Sequence, residues 1–410
     1  MLTHEQHGFV RKRSTNSNLV HFTSAIINAV DKRHQVDAIY TDFSKAFDKV
    51  NHKLLLQKLE RFGIVDPILS WCKSYLLNRS SKVVFNGASS KPYTASSGIP
   101  QGSILGPLFF NIFINDITGI ISHSKAFLFA DDLKLIRVTK SADDERLLQE
   151  DIDSLVDWCS SNRMMLNPSK CIHIKFTRKH NIFPSKYKIG KTILSEMNEV
   201  KDLGLWIDSQ LNFKVHINKT VAEANRALGF ILRCTKEFKK PTTSKLLFNA
   251  YVRSKVEYCS TAWAPTQKIH INRIERLQRR FTRHMYFKSN VTLPLKSYGE
   301  RLDHFKMTSL SNRRVVADMM MLYKIMHNII DCTHLLEEFC ISIPRRIPRV
   351  QCPLFHIPFR RSNLGLNSPT TRLARKYNDL SSNCDSLDIN HNSQTEFKRK
   401  IIDCIGRCDI

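Results

Sequence analysis

The chain has 410 residues, 42% of them hydrophobic, with a formal net charge of +26 and a pI of about 9.7. This length and apolar content are enough for a full core divided into two or three lobes. The charge is larger than solubility requires and favours a polyanionic partner, with nucleic acid ahead of an anionic membrane. A merely basic soluble protein has the same totals, so composition alone leaves both interpretations open.

The cysteines and the N-terminal sequence bear on the cellular compartment. The eleven cysteines include no Cys-x-x-Cys pair, which favours free thiols in a reducing compartment. Cys404 and Cys408 lie near Cys384 and His391, but this spacing is poor for zinc. Residues 1–14 lack the apolar core of a signal peptide, and no run reaches membrane-spanning length. We therefore expect an intracellular protein.

The first part of the chain alternates helices with strands. Apolar residues recur at helical spacing over residues 18–31, and a predicted strand over residues 36–43 carries Asp42 at its end. Asn86-Gly87 is a strong hairpin-turn signal between residues 82–85 and 93–96. Further helices are predicted over residues 52–62, 67–77 and 107–114.

Two adjacent carboxylates, Asp131 and Asp132, stand between apolar runs at residues 127–129 and 133–136. The runs predict buried strands, and Ala130-Asp131-Asp132 between them predicts a hairpin turn. Two anions at the tip of a buried hairpin repel each other unless a cation or donor compensates them. A solvated Asp-Asp turn is the alternative, because aspartate is common in turns.

The second part of the chain becomes increasingly helical. Ser141 predicts a helix start, and strands are predicted over residues 171–176 and 200–207, with Gly204 in the middle of the latter. From residue 215 helices dominate. Prolines and arginines across residues 343–361 predict an extended basic connector.

One helical segment has a strongly basic face. Its apolar face carries Ile274, Leu277 and Phe281, and Glu275 is the only acidic residue among the arginines. A surface that follows a phosphate backbone and an ordinary solvated face are both compatible with this pattern. The arginines are Arg273, Arg276, Arg279, Arg280 and Arg283.

Asp42 is a candidate partner for the two hairpin carboxylates. A central strand that ends in aspartate beside an Asp-Asp hairpin can present three carboxylates to two hard divalent ions, and Mg²⁺ prefers such oxygen ligands. Two ions about 4 Å apart can activate an attacking hydroxyl and stabilise a leaving pyrophosphate. The alternative for Asp42 is a strand-end cap.

Three motifs then carry a family resemblance. They are TDFSKAFD at residues 41–48, SGIPQGSILGP at residues 97–107 and FADD at residues 129–132. In order and spacing they resemble the reverse transcriptases of non-LTR, LINE-like retrotransposons of the jockey type. HGFVRKRST at residues 7–15 and VKDLG at residues 200–204 extend the resemblance. Lys12 stands where this family usually has glycine.

The resemblance implies roles for individual residues. Asp42, Asp131 and Asp132, with the backbone of Phe43, would hold the catalytic metals, two Mg²⁺ ions with Mn²⁺ as an alternative. Lys170 would protonate the pyrophosphate leaving group. The remaining implied contacts are Phe47 as the steric gate against a ribose 2′-hydroxyl, Gln101 and Gly102 at the incoming dNTP and template, Arg11 and Arg13 at phosphates, and Leu203 and Gly204 in the primer-grip hairpin.

The implied fold class is α+β, a right-hand polymerase. Its partial fingers would be residues 1–36, its palm residues 37–210 with a finger-like insertion at about 52–96, its helical thumb residues 211–300, and a basic C-terminal region residues 301–410. Because the upstream fingers and endonuclease of such elements would precede the first motif, we expect an N-terminally truncated copy.

The implied function is an RNA-directed DNA polymerase acting by two-metal nucleotidyl transfer. Its partners would be an RNA template, a DNA primer or target and dNTPs, with the element RNA in a ribonucleoprotein and without a membrane. Nuclear and cytoplasmic localisation is expected. The alternatives are a catalytically inactive relic that binds RNA or RNA–DNA duplex, and a group II intron maturase or telomerase-like polymerase.

Overall fold

The computed structural model describes residues 1–238, 240–289, 296–343, 352–384 and 386–408. The chain forms two compact units. The first comprises Met1–Asn18 and Lys32–Asn198, and the second comprises Leu19–Asp31 and Glu199–Ile410. Among the described residues, none of the helices combines the length and apolar content that a membrane span requires.

A five-stranded sheet is the framework of the first unit. The strands of this unit are β1 (Gln35–Tyr40), β2 (Ser80–Ser81), β3 (Val84–Phe85), β4 (Ala88–Ser89), β5 (Tyr93–Thr94), β6 (Lys125–Phe129), β7 (Asp132–Thr139), β8 (Ile172–Phe176), β9 (Lys188–Ile189), β10 (Thr192–Ile193) and β11 (Ser195–Met197). The sheet order is β11-β8-β1-β7-β6, and β1 pairs antiparallel with both β7 and β8. β1 is central and buried along its length, as expected for a strand rich in valine, alanine and isoleucine.

Helices pack onto this sheet to form one core. These helices are α2 (His52–Arg61), α3 (Ile68–Leu76), α4 (Leu105–Ile114) and α5 (Ala142–Ser161). The helix that precedes them, α1 (Thr15–Asp31), has its first residues in this unit and the rest in the second. Ile39 and Leu135 of the sheet share this core with Phe113 of α4 and Ile152 of α5. The predicted start of α5 is confirmed, because the Ser141 hydroxyl accepts a hydrogen bond from the Asp144 amide.

The second unit is mainly helical. Its elements are β12 (Glu199–Asp202), β13 (Leu205–Asp208), α6 (Lys214–Cys234), α7 (Pro241–Phe248), α8 (Ser254–Glu257), α9 (Ser260–Trp263), α10 (Lys268–Lys288), α11 (Tyr298–His304), α12 (Leu310–Met326), α13 (Thr333–Leu336), β14 (Cys340–Ile341), β15 (Phe355–His356), α14 (Asn363–Leu366), α15 (Pro369–Ser382) and α16 (Gln394–Cys408). α10 packs against α6 and α12 through its apolar face. Together, the sheet-based and helical units confirm the predicted α+β class.

The prediction of a single strand over residues 200–207 was wrong. Residues 200–207 form an antiparallel hairpin of β12 and β13, not one strand, because Leu203 (φ 43°) and Gly204 (φ 88°) reverse the chain. The predicted connector, residues 343–361, contains one short extended strand, β15, which pairs with β14 just before the connector. Its residues 344–351, which include Arg345 and Arg346, lie outside the described residues.

The expectation that the cysteines are free thiols also requires correction. Cys384 and Cys404 form a disulfide, with their Cα atoms 6.4 Å apart. Packing of α16 against α15 brings together two cysteines that are 20 residues apart in the sequence. Cys72, Cys159, Cys171, Cys234, Cys340 and Cys352 are free thiols, in agreement with the expectation for these positions.

Candidate active site

Asp42 lies two residues beyond β1, between the two strands that flank it. Tyr40 pairs with Lys134 of β7 and with Ile172 of β8. The Thr41 amide continues the first register by donating to the Leu133 carbonyl at 3.1 Å. Continuing this register by one residue would bring Asp42 opposite Asp132. The register against β8 does not continue in this way, because the next bridge joins Phe43 to Leu166.

Asp131 and Asp132 lie at the tip of the hairpin between β6 and β7. Phe129 pairs with Asp132, so Ala130 and Asp131 form a two-residue turn, and Ala130 has a φ of 55°. The Asp132 side chain is exposed, whereas Asp131 is half-buried. Burial, with the negative charge of Asp42 adding to it, raises the pKa of the Asp131 carboxyl. Asp131 and Asp42 are therefore close enough to repel each other.

The neighbourhood of Asp42 is fixed largely through its backbone. Its amide donates to Cys171 Sγ at 3.4 Å, and its carbonyl accepts from the Asn167 amide at 2.8 Å. Phe43 is buried and bridges Leu166. The Lys170 ammonium lies 3.6 Å from Asp42 Oδ2, although two-thirds of the lysine side chain is exposed. An exposed pair of this kind contributes little to stability, so the carboxylate remains available to a ligand.

The three carboxylates fit a hard divalent cation. All three supply oxygen ligands, the donor type that Mg²⁺ prefers. Burial, and after it the negative charge of Asp42, disfavours the charged form of Asp131 and raises its pKa, and a bound cation would offset this cost. The type of ligand atom and the electrostatics of these carboxylates therefore both favour a bound divalent cation.

Phe47 and the loop containing Gln101 adjoin one another in the first unit. The Phe47 ring stacks on Phe110 with centroids 4.3 Å apart, and the Phe47 carbonyl accepts from the Ile99 amide at 3.0 Å. Gln101 is exposed and donates from Nε2 to Asp48 Oδ1 at 3.0 Å. Gly102 adopts a φ of 79°, a conformation that favours glycine.

The two N-terminal arginines differ in their surroundings. Arg11 is exposed. Arg13 is half-buried and donates to the carbonyls of Thr3 and Gln6, each at 2.8 Å, which holds the N-terminal segment. Between them, Lys12 has a φ of 66°, a conformation that favours glycine.

The remaining predicted site residues belong to the second unit. The Leu203 carbonyl accepts from the Tyr258 hydroxyl at 2.8 Å, and a Cβ on Gly204 would lie 3.2 Å from the Tyr258 ring. Tyr258 therefore supports this turn at close range.

The arginines of α10 form a positive surface on the second unit. Arg276, Arg279, Arg280 and Arg283 are exposed, whereas Arg273 is half-buried and donates to Asn218 Oδ1 at 2.6 Å. Glu275, the only acidic residue of this helix, is buried and accepts from the Leu310 and Ser311 amides. The exposed arginines therefore face solvent without an acidic neighbour on their own helix.

The part of the chain that matches a known protein family is the part that contains the motifs. Residues 1–207 match the family model described as reverse transcriptase (RNA-dependent DNA polymerase). The chain belongs to the reverse transcriptase family. Reverse transcriptases generally use divalent metal ions, in agreement with the carboxylate donor set.

Relatives of this reverse transcriptase include retrotransposon proteins of flies. It is 29% identical to the probable RNA-directed DNA polymerase from transposon BS of Drosophila melanogaster over 69% of the chain, and 25% identical to that from mobile element jockey of Drosophila funebris over 68%. The predicted resemblance to the jockey type is thus confirmed. The matches span 32% and 31% of those relatives, about a third of their length.

Solved structures give a looser likeness. Apo telomerase from Candida tropicalis has a TM-score of 0.40 and 12% identity, covering 80% of this chain and 51% of that one. Telomerase from Candida albicans, in complex with a fragment of telomeric RNA, has a TM-score of 0.38 and 12% identity, covering 77% and 53%.

Sequence reasoning missed several residues that support the reverse transcriptase motifs. Asp48 holds Gln101, Cys171 accepts from the Asp42 amide, and Tyr258 holds Leu203. Asp48 was detectable as the last residue of the motif that contains Asp42. Cys171 and Tyr258 had no local signal, because each acts through a backbone atom of another segment.

Proposed function

We propose that the chain is the RNA-directed DNA polymerase core of a non-LTR retrotransposon, which transfers a nucleotidyl group from a dNTP to a primer 3′-hydroxyl on an RNA template. The observation that carries the proposal is the pairing of β1 with β7, which ends at the bond from the Thr41 amide to the Leu133 carbonyl, next to Asp42 on one strand and Asp132 on the other, with Asp131 in the adjoining turn. Membership of the reverse transcriptase family and similarity to RNA-directed DNA polymerases of fly transposons support this reaction class.

Asp42, Asp131 and Asp132, with the backbone of Phe43, would hold two Mg²⁺ ions, for which Mn²⁺ is the alternative. When bound, such ions activate the attacking hydroxyl and stabilise the leaving pyrophosphate. The contribution of the chain is to hold its carboxylates at fixed positions on strand ends. Lys170, 3.6 Å from Asp42, would deliver a proton to the pyrophosphate as it departs.

Selection of the nucleotide would depend on the loop beside Phe47. The stack on Phe110 limits movement of the Phe47 ring, so the ring would exclude a ribose 2′-hydroxyl. Gln101, held by Asp48, and Gly102 would line the dNTP and template. Arg11 would meet phosphates. Arg13 would act mainly by holding the N-terminal segment, since its guanidinium already donates to backbone carbonyls.

The second unit would bind the template–primer duplex. Leu203 and Gly204 would form the primer grip, with Tyr258 beneath the turn. The arginines of α10 would contact the nucleic-acid backbone without sequence preference. In this proposal residues 1–36 are partial fingers, 37–210 the palm, 211–300 the thumb and 301–410 a basic C-terminal region.

The RNA template, the DNA primer or target, dNTPs and the element RNA of a ribonucleoprotein are the proposed partners. Residence in the nucleus and cytoplasm belongs to the same proposal, because these partners are found there.

Primer extension on poly(rA) primed with oligo(dT), with Mg²⁺ or Mn²⁺, tests the activity. We expect the intact chain to extend the primer, Asp131→Ala to abolish extension, and Asp143→Ala to preserve it. Asp143 is the control because it is an exposed aspartate in the first turn of α5. Extension by the intact chain no greater than that by Asp131→Ala would contradict the proposal.

Duplex binding separates an inactive relic from a chain that does not bind nucleic acid. Arg280→Gln should reduce the slope of log affinity against log salt for an RNA–DNA duplex by about one. Arg146→Gln is the control, because its guanidinium already pairs with Glu150. Binding without extension would favour the relic, and assistance of intron splicing would favour the maturase alternative.

A further inference from the structure

The side chain of Gln6 is buried and grips the hairpin that carries Asp131. It is 1% exposed. Its Oε1 accepts from the amide of Ala130 at 2.8 Å and from that of Gly8 at 2.7 Å, while its Nε2 donates to the Ala130 carbonyl at 3.3 Å. Both backbone polar groups of Ala130 are thus bonded to one side chain.

This turn needs such support for two reasons. Ala130 has a φ of 55°, and a residue other than glycine in this region costs about 1 kcal/mol or more. The turn also carries a carboxylate next to a second one, and adjacent negative charges repel. Without an external constraint, both effects would favour movement of the turn away from its observed conformation.

The segment around Gln6 is itself firmly held. The Leu128 amide donates to the Glu5 carbonyl at 3.1 Å, and the His7 amide donates to the Leu128 carbonyl at 2.9 Å, so the segment pairs with edge strand β6. Asn111 of α4 donates to the Gly8 carbonyl at 2.8 Å. Together with the bonds from Arg13 to the Gln6 carbonyl, these contacts make Gln6 a rigid support.

We propose that Gln6 is a positioning residue for the metal site: by gripping Ala130 it fixes the carboxylates of Asp131 and Asp132 before a divalent cation binds. The inference rests on the proposed function, because it takes these aspartates as metal ligands. Residues that hold the ligands of a metal in place typically contribute 10- to 100-fold to metal affinity.

Gln35 offers a matched control in the same unit. It is also 1% exposed, and its amide grips the backbone of Phe183 in the same reciprocal way, accepting from the Phe183 amide at 2.8 Å and donating to its carbonyl at 3.2 Å. It stands at the start of β1, whereas Asp42 follows the end of that strand. Gln35 Nε2 also donates to the buried carboxylate of Asp37 at 2.8 Å. Gln35→Met therefore removes a buried clamp of at least equal importance for stability without touching the turn.

The test is Mn²⁺ binding by electron paramagnetic resonance, which needs no catalytic turnover, for Gln6→Met, Gln35→Met and Asp131→Ala. Denaturant unfolding of each variant reports its stability. We expect Gln6→Met to weaken Mn²⁺ binding about 10- to 100-fold, while Gln35→Met loses at least as much stability and keeps its affinity. If Gln6→Met does not fold, Gln6→Asn, one methylene shorter, is expected to weaken binding at least several-fold.

The outcomes separate this inference from the proposed function. Unchanged Mn²⁺ affinity in a folded Gln6 variant would overturn the role of Gln6 alone. Equal losses of affinity in Gln6→Met and Gln35→Met would also overturn it, because the effect would then be general destabilisation. Intact protein that binds Mn²⁺ no better than Asp131→Ala would remove the metal site itself, and with it the proposed function.

Discussion

Gly8→Ala should destabilise the first unit by pushing on the carboxylate hairpin. A Cβ at Gly8 would lie 2.3 Å from the Ala130 nitrogen and 3.0 Å from its Cα, both backbone atoms. Ordinary van der Waals contact begins at about 3.4 Å, so the two segments must separate by about 1 Å. Overpacking of this kind costs about 1–3 kcal/mol in free energy of unfolding.

The same displacement should impair the proposed activity. Ala130 immediately precedes Asp131, so a shift of about 1 Å at its backbone moves a proposed metal ligand, and such a misplacement can cost about a hundredfold in rate. Urea unfolding measures the stability, and primer extension at a temperature where the variant is folded measures the rate.

Gly119→Ala is the matched control. A Cβ at Gly119, in the 3-10 helix Asn115–Ile120, has no heavy atom within 4 Å, so its stability should change by less than about 0.5 kcal/mol. If Gly8→Ala matches Gly119→Ala in stability, the close approach of the two segments is not a constraint. If stability falls but the rate per folded molecule is unchanged, the position of the turn does not control the activity.

Three further predictions concern other sites. Phe47→Val should raise incorporation of rNTPs relative to dNTPs by about tenfold or more in primer extension, and an unchanged ratio would contradict the gate. Burial lowers the pKa of His216 from 6.5 to about 4. As the pH drops from 6.5 to 4, the imidazole is therefore protonated in the unfolded state but not yet in the folded state, and the free energy of unfolding should fall by about 3 kcal/mol. Urea unfolding over this pH range should show the loss of stability in the intact protein and not in His216→Gln. The same dependence of stability on pH in both proteins would refute the role of His216. Lys12→Gly should stabilise the protein by up to about 1 kcal/mol, because Lys12 has a φ of 66°. Lys49→Gly is the control and should not stabilise it, because Lys49 has a φ of −96°. A higher thermal unfolding temperature for Lys49→Gly than for Lys12→Gly would exclude backbone strain at Lys12.

Several features of the fold could be predicted from the sequence because their signals are local. The apolar runs around Asp131 and Asp132 predicted the hairpin, and Asn86-Gly87 predicted the turn that follows β3. The predicted second strand of that turn, residues 93–96, was wrong, because β3 pairs with β4 and Tyr93–Thr94 pairs with Ser80–Ser81. The spacing of Ile274, Leu277 and Phe281 predicted the buried face of α10. Local signals misled at residues 200–207, since Leu203 adopts a left-handed conformation that leucine rarely favours.

The sequence by itself determined the family and the chemical identity of the candidate ligands, because motifs and residue types are read along the chain. Only the tertiary structure decided that the strand before Asp42 pairs with the strand that begins at Asp132, that Gln6 grips Ala130, and that Cys384 meets Cys404. Periodicity and turn preference act over a few residues, whereas these contacts join segments 20 to 124 residues apart. Their geometry is set by strand register and helix packing, which depend on the burial of whole elements.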